Sequence, residues 1–238
     1  TSMGKGMWVE VTVPWVEALL DTPPIGPRIK YLVENSLIPK LYYSQIMWVD
    51  AIKQDDQCQI WYHLKEPHGS YGDEFWAQAE AFKPITPEEA SPINPEVENK
   101  RIDVNIHRQT LSCFENDREV YFCRVSTGRL DQETPLGLYF QVFWKLISVH
   151  MSAGTAGAGY DLTGVGWPTF FAPNGIAVHS TFWHNDFGAP TSAGCVNARP
   201  EDAKFVSRWT SPVVPYSPGN IDIGSKGIPS TIVRVIES

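Results

Sequence analysis

Two short stretches of the chain combine residue types that could do chemistry. Gly175-Ile176-Ala177-Val178-His179-Ser180 reads as a strand that ends in a histidine, and Ser192-Ala193-Gly194-Cys195-Val196-Asn197 follows with a thiol sixteen residues after His179. A cysteine beside a glycine on a turn can be exposed, with backbone N–H groups aimed at a bound carbonyl oxygen, which is an oxyanion site in outline. A histidine close to the thiol would draw off its proton and generate the thiolate, the nucleophilic form. On these residues alone an ordinary reading stands beside the catalytic one. A lone cysteine is most often a small buried hydrophobe, and a strand-end histidine usually satisfies a local hydrogen bond.

The remaining reactive side chains point elsewhere. Leu111 to Cys123 reads as a hairpin, and a two-residue turn at Asn116-Asp117 sets Cys113 opposite Val120 and Cys123 opposite Thr110. The two thiols then face opposite sides of the sheet, so no disulfide is expected unless a bulge alters the register. No CxxC pair and no Cys/His spacing of the zinc-finger type occurs, and no metal or cofactor is expected. His184 and Asp186 could join His179 and Cys195 around a metal, but their spacing suits a loop. His63, His68, His107 and His150 read as surface or strand histidines. Trp61 and Trp76 could stack on glycan, with core packing the simpler role.

Which elements hold these residues follows from composition and pattern. The chain has 238 residues, 42% of them hydrophobic, with 19 prolines and 18 glycines, more than a helical bundle accommodates, so short strands are expected. Its net charge of −8 has no basic run to set against a row of phosphates, which argues against nucleic acid. No apolar stretch approaches the roughly 20 residues of a membrane span. The first six residues lack the pattern of a signal peptide and read as a remnant or a processed end. Four prolines between Pro84 and Pro95 mark a stiff connector, and the domain boundary is placed at 86–96. Ahead of it, strand-like runs cover Tyr42 to Ile52, Gln59 to Leu64 and Phe75 to Phe82. Residues 35–85 resemble a bacterial SH3-type small barrel in strand length and aromatic density, and residues 1–34 are left unassigned. After it, strands are expected from Arg101 onward, with one helix beginning near Pro200, where Glu201, Asp202 and Arg208 suit the helix dipole.

Taken together, the motifs of the second domain, placed at 97–238, resemble the YkuD-type L,D-transpeptidase domain over about residues 98–237. That family reads as His followed by Ser or Gly, a loop, and then Ser/Thr-His-Gly-Cys, a hydrophobic residue and Asn or Arg. Val178-His179-Ser180 and Ser192 to Asn197 fit it, with twelve residues between His179 and Ser192. Val125-Ser126-Thr127-Gly128 and Thr134-Pro135-Leu136-Gly137 look like the family's STG and TPxG elements. Ala193 is a departure, because the family usually has histidine there. The resemblance implies a mainly β protein whose Cys195 attacks a peptidoglycan stem tetrapeptide, with His179 as general base and then acid. It further implies that the main-chain carbonyl of Ser180 orients that histidine, that the N–H groups of Gly194 and Cys195 hold the oxyanion, and that Asn197 braces the loop. Ala158-Gly159-Tyr160 resembles the family's lid, so Tyr160 and Met151 would contact substrate from a flap between Ser148 and Gly166.

The resemblance thus implies an exported cysteine acyltransferase that forms crosslinks without metal or cofactor and is acylated by carbapenems. Two other readings stay open: an L,D-carboxypeptidase in which water replaces the acceptor amine, and a wall-binding protein whose catalytic fold is idle.

Overall fold

The computed structural model describes residues 4–155, 158–224 and 228–237. Among the described residues the fold is mainly β, with two α-helices, and the chain divides into two compact units: residues 1–90 with 148–165, and residues 91–147 with 166–238. The sequence switches units inside the proline-rich connector, at Ala90/Ser91, and crosses twice more around 148–165.

In the first unit an open antiparallel sheet runs in the order Leu19–Leu20, Phe75–Gln78, Ile60–Lys65, Ile46–Gln54, Met7–Val11, Phe82–Ile85. The expected SH3-like barrel over 35–85 is not what forms. Alternating residues predicted strands, but closure depends on partners. Met7–Val11, from the segment left unassigned, inserts between Ile46–Gln54 and Phe82–Ile85, and the sheet ends in two edges. Trp8 pairs with Trp48 at a ring-centroid distance of 5.2 Å on one face of the sheet, and Val9, Val11, Met47, Leu64 and Ala77 are fully buried in the core cluster on the other. A helix that the sequence reading missed, α1 (Pro27–Glu34), starts with proline in its first turn but has neither acids in that turn nor bases in its last. The segment between Ser148 and Gly166, expected as a flap, forms a two-stranded ladder of Ser148–Thr155 and Ala158–Gly166. Ser148 Oγ donates to the Ile46 carbonyl at 2.6 Å, and the Glu66 carboxylate accepts from the Gly164 N–H at 2.6 Å.

The second unit holds two five-stranded sheets. One runs Arg118–Arg124, Thr110–Glu115, Lys100–Asn105, Ile232–Ile236, Gly137–Gln141, and the other Val196–Ala198, Ile176–Ser180, Thr169–Ala172, Trp144–Leu146, Asn220–Asp222. Ile102, Val104, Leu111, Val178, Val196 and Val233 are fully buried. The predicted helix is α2 (Pro200–Trp209), with Glu201 and Asp202 in its first turn and Arg208 in its last. Two buried lysines satisfy carbonyls at its C-terminal end, Lys100 on Trp209 at 2.8 Å and Lys145 on Thr210 at 2.7 Å. Such donors meet a need there because the last carbonyls of a helix lack internal partners, although burial lowers the pKa of both lysines.

The hairpin of the two buried cysteines turns at Asn116-Asp117, both with positive φ, as its sequence predicted. A bulge between Cys113 and Phe114 then shifts the register, so Cys113 faces Tyr121 and Leu111 faces Cys123. One residue of slip changes the face of every side chain beyond it. Cys113 and Cys123 therefore share a face instead of opposing ones, and both are free thiols.

Candidate active site

The site is built on a parallel pair of strands. Ile176–Ser180 runs beside Val196–Ala198, with Val178 opposite Val196, His179 opposite Asn197 and Ser180 opposite Ala198. Cys195 immediately precedes the second strand, next to Ala177. Pleating puts Ala177 and His179 on one face, and Asn197, the cross-strand neighbour of His179, projects to the same face. Cys195 thus stands one residue before a strand that pairs directly with the one carrying His179.

His179 is only 3% exposed. Its Nδ1 donates to the Ser180 carbonyl at 2.9 Å, since a carbonyl can only accept. In the neutral ring this bond leaves the lone pair on Nε2, which makes that nitrogen the base. Burial lowers the His179 pKa to about 4, the Ser180 carbonyl opposes the shift, and nearby His184 adds to it. The imidazole is therefore uncharged at neutral pH. Cys195 is half-buried and its Sγ lies 3.5 Å from the Gly175 carbonyl. Burial pushes the thiol pKa up, and the Ala177 N–H facing the sulfur partly offsets this. At neutral pH the two groups are thus a neutral thiol and a neutral imidazole.

The nucleophile turn is braced by residues of the two upstream motifs. Thr134 Oγ1 donates to the Gly194 carbonyl at 2.8 Å and accepts from the Gly128 N–H at 3.0 Å. Ser126 exchanges backbone bonds with Asn197 at 2.9 and 2.8 Å, and the Arg129 N–H donates to the Ser192 carbonyl at 3.0 Å. Gly194 sits at φ +118°, a conformation open to glycine and strained for other residues. Its N–H donates to Ser192 Oγ at 3.1 Å, while that hydroxyl donates to the Cys195 carbonyl at 2.5 Å. The Gly194 amide expected to face an oxyanion is thus bonded to a side chain and must exchange that partner to bind substrate.

Thr134→Val tests the brace without touching the thiol. The change leaves a buried carbonyl and a buried N–H without this partner, with an expected destabilisation of about 1–3 kcal/mol. Urea unfolding should show that loss together with slowed acylation of Cys195; unchanged values for both would mean that the turn holds itself.

His184 is a site residue that sequence reasoning set aside as part of a loop. Its Nδ1 accepts from the Asp186 N–H at 3.1 Å, and its Nε2 lies 2.9 Å from the Asn197 carboxamide and 3.2 Å from Thr191 Oγ1. Asn197, expected as the brace of the loop, makes its side-chain bond to this histidine. Ala193 is exposed, so the missing family histidine leaves no cavity. Ser180 contributes its carbonyl to His179, and its hydroxyl accepts from the Gly166 N–H at 3.0 Å. Met151 and Tyr160 belong to the first unit, where Tyr160 lines a cavity of about 510 Å³ with Tyr31 and Tyr71.

Residues 99–232 match the family model described as YkuD, the L,D-transpeptidase catalytic domain. Among curated proteins nothing matches. Solved structures similar to the chain include an L,D-transpeptidase from Mycobacterium smegmatis, at 19% identity and TM-score 0.45, covering 95% of this chain and 99% of that one. L,D-transpeptidase 3 from Mycobacterium tuberculosis, in complex with a faropenem-derived adduct, is 17% identical with TM-score 0.43, covering 98% of this chain and 97% of that one. An Enterococcus faecium L,D-transpeptidase is 18% identical with TM-score 0.43, covering 58% of this chain. The chain spans 51% of that structure, about half its length.

Proposed function

The chain belongs to the YkuD family of L,D-transpeptidase catalytic domains, and from that premise we propose that it joins peptidoglycan stem peptides through a thioester on Cys195. The observation that carries this reading is His179, fixed by the Ser180 carbonyl with Nε2 unprotonated, on the strand paired with the one that begins just after Cys195.

Cys195 Sγ attacks the carbonyl carbon of the third residue of a stem tetrapeptide, and its proton passes to His179 Nε2. The developing oxyanion accepts from the backbone N–H of Cys195 and from that of Gly194 once Ser192 Oγ has released it. The C–N bond to the terminal D-alanine then breaks, its amine leaving with the proton from Nε2, and the acyl group stays on sulfur. A side-chain amine of a neighbouring stem attacks the thioester and gives its proton to His179. The thiolate that leaves is reprotonated by the same nitrogen. Every proton thus moves through His179, and neither metal nor redox partner takes part in these steps. Met151 and Tyr160 contact substrate in this reading, and the protein works outside the cytoplasm, where its substrate is.

Incubation with purified disaccharide tetrapeptide tests the proposal. The expected product is a crosslinked dimer of stems with release of D-alanine. A tripeptide without dimer would show that water is the acceptor and the enzyme a carboxypeptidase. No product at all would favour an idle, wall-binding fold.

A further inference from the structure

In the first unit, well separated in sequence from the catalytic motifs, three side chains converge from neighbouring strands. Asp21 follows Leu19–Leu20, Glu74 precedes Phe75–Gln78, and His63 lies on Ile60–Lys65 between them and the rest of the sheet. His63 is 7% exposed, and its Nε2 makes no hydrogen bond among the described residues. That nitrogen points at two carboxylate oxygens, Asp21 Oδ2 at 3.5 Å and Glu74 Oε2 at 3.4 Å. All three atoms lie within 4.8 Å of one another.

These separations are long for hydrogen bonds, which cluster at about 2.7–3.2 Å. They match the edges of a tetrahedron whose centre is about 2.0–2.2 Å from nitrogen and oxygen ligands, edges of about 3.3–3.6 Å. The atoms that do not converge are each held from outside. His63 Nδ1 is 2.6 Å from Asp50 Oδ1, Trp76 Nε1 donates to Asp21 Oδ1 at 2.6 Å, and Lys65 Nζ reaches Glu74 Oε1 at 3.1 Å. A carboxylate on the far nitrogen of a histidine fixes its tautomer and raises its basicity, as in the outer shell of metal sites. Of the three carboxylates around His63, two bond the Lys65 ammonium, Asp50 at 2.8 Å and Glu74 at 3.1 Å, while a second ammonium, that of Lys53, lies 3.8 Å over the Trp76 ring.

We infer that Asp21, His63 and Glu74 form a binding site for a divalent ion of the zinc class, with one position open to water. One nitrogen and two oxygens suit such an ion better than the softer metals that prefer thiolate. The ion would tie together three adjacent strands at an edge of the sheet, so binding should stabilise this unit by mass action. Cysteine and histidine spacing along the chain gives no sign of the site, because its ligands meet only through strand pairing.

Equilibrium dialysis of the full chain against zinc, with cobalt(II) absorption as a second probe, tests the inference. Wild type is expected to retain one more equivalent of metal than His63→Gln and Glu74→Gln, to melt at a higher temperature with zinc than with EDTA, and to give a cobalt spectrum without thiolate charge transfer. Glu74→Gln keeps the hydrogen-bonding shape of a partly exposed side chain, so it serves if His63→Gln fails to fold. Asp50→Asn should weaken binding about 10–100-fold, as for an outer-shell partner. Equal retention by wild type and Glu74→Gln would overturn the site, as would a cobalt spectrum due only to cysteine.

Discussion

Replacing His179 by alanine is expected to slow acylation of Cys195 by a carbapenem by about 10²–10⁴ at neutral pH, the usual range for loss of a general base. The pH profile gives the sharper signature. In wild type the imidazole is neutral above its pKa of about 4, so the acid limb of the acylation rate should lie near pH 4 and not near the ordinary histidine value of 6.5. Because burial raises the Cys195 pKa, wild type needs the base to remove the proton during attack. In His179→Ala only the small thiolate fraction reacts, and the rate should climb about tenfold per pH unit until the thiol ionises. A preformed thiolate–imidazolium pair would behave differently, losing rate on the basic side as the imidazolium gave up its proton. Stopped-flow rates from pH 3 to pH 10 separate these cases. A wild-type acid limb near 6.5 would mean that burial does not shift the His179 imidazole, and a variant with an unaltered profile would remove His179 from its role.

Cys195→Ala carries the larger expected effect, complete loss of the acyl-enzyme and of all product from stem tetrapeptide. The fold should survive, because the side chain is small and half-buried, and such changes usually cost no more than about 1 kcal/mol. Circular dichroism and thermal melting check the fold, and product analysis checks the chemistry. Crosslinks or tripeptide formed by a folded Cys195→Ala protein would require another nucleophile. Cys113 and Cys123 offer no ready substitute, since burial pushes both thiols well above the ordinary range.

The parts of this molecule that were legible in the sequence are those fixed by neighbours along the chain. The Asn116-Asp117 turn, the proline-started helix α2 and the His179 and Cys195 segments are local patterns, and the structure places them in a hairpin, a helix and a parallel strand pair. What escaped depends on partners distant in sequence. Strand-like runs over 35–85 could not show that Met7–Val11 would pair with two of them and leave an open sheet. A single bulge after Cys113 reversed the expected facing of the two cysteines. His63 and His150 read as ordinary strand histidines, yet each is buried with carboxylates at both ring nitrogens, and neither spacing nor composition signals that. His184 was visible as a histidine in the loop before Cys195, but its bond to Asn197 follows from the path of that loop, not from its letters.

Intact-protein mass spectrometry after carbapenem treatment, with the adduct mapped to a peptide, tests the thioester account most directly. Cys58 is exposed and serves as an internal control for nonspecific reaction with thiols. A thioester on Cys195 gives one added drug mass per chain, located on Cys195, absent from Cys195→Ala and slow to form on His179→Ala. An unmodified wild type, or an adduct on Cys58 that persists in Cys195→Ala, would contradict it.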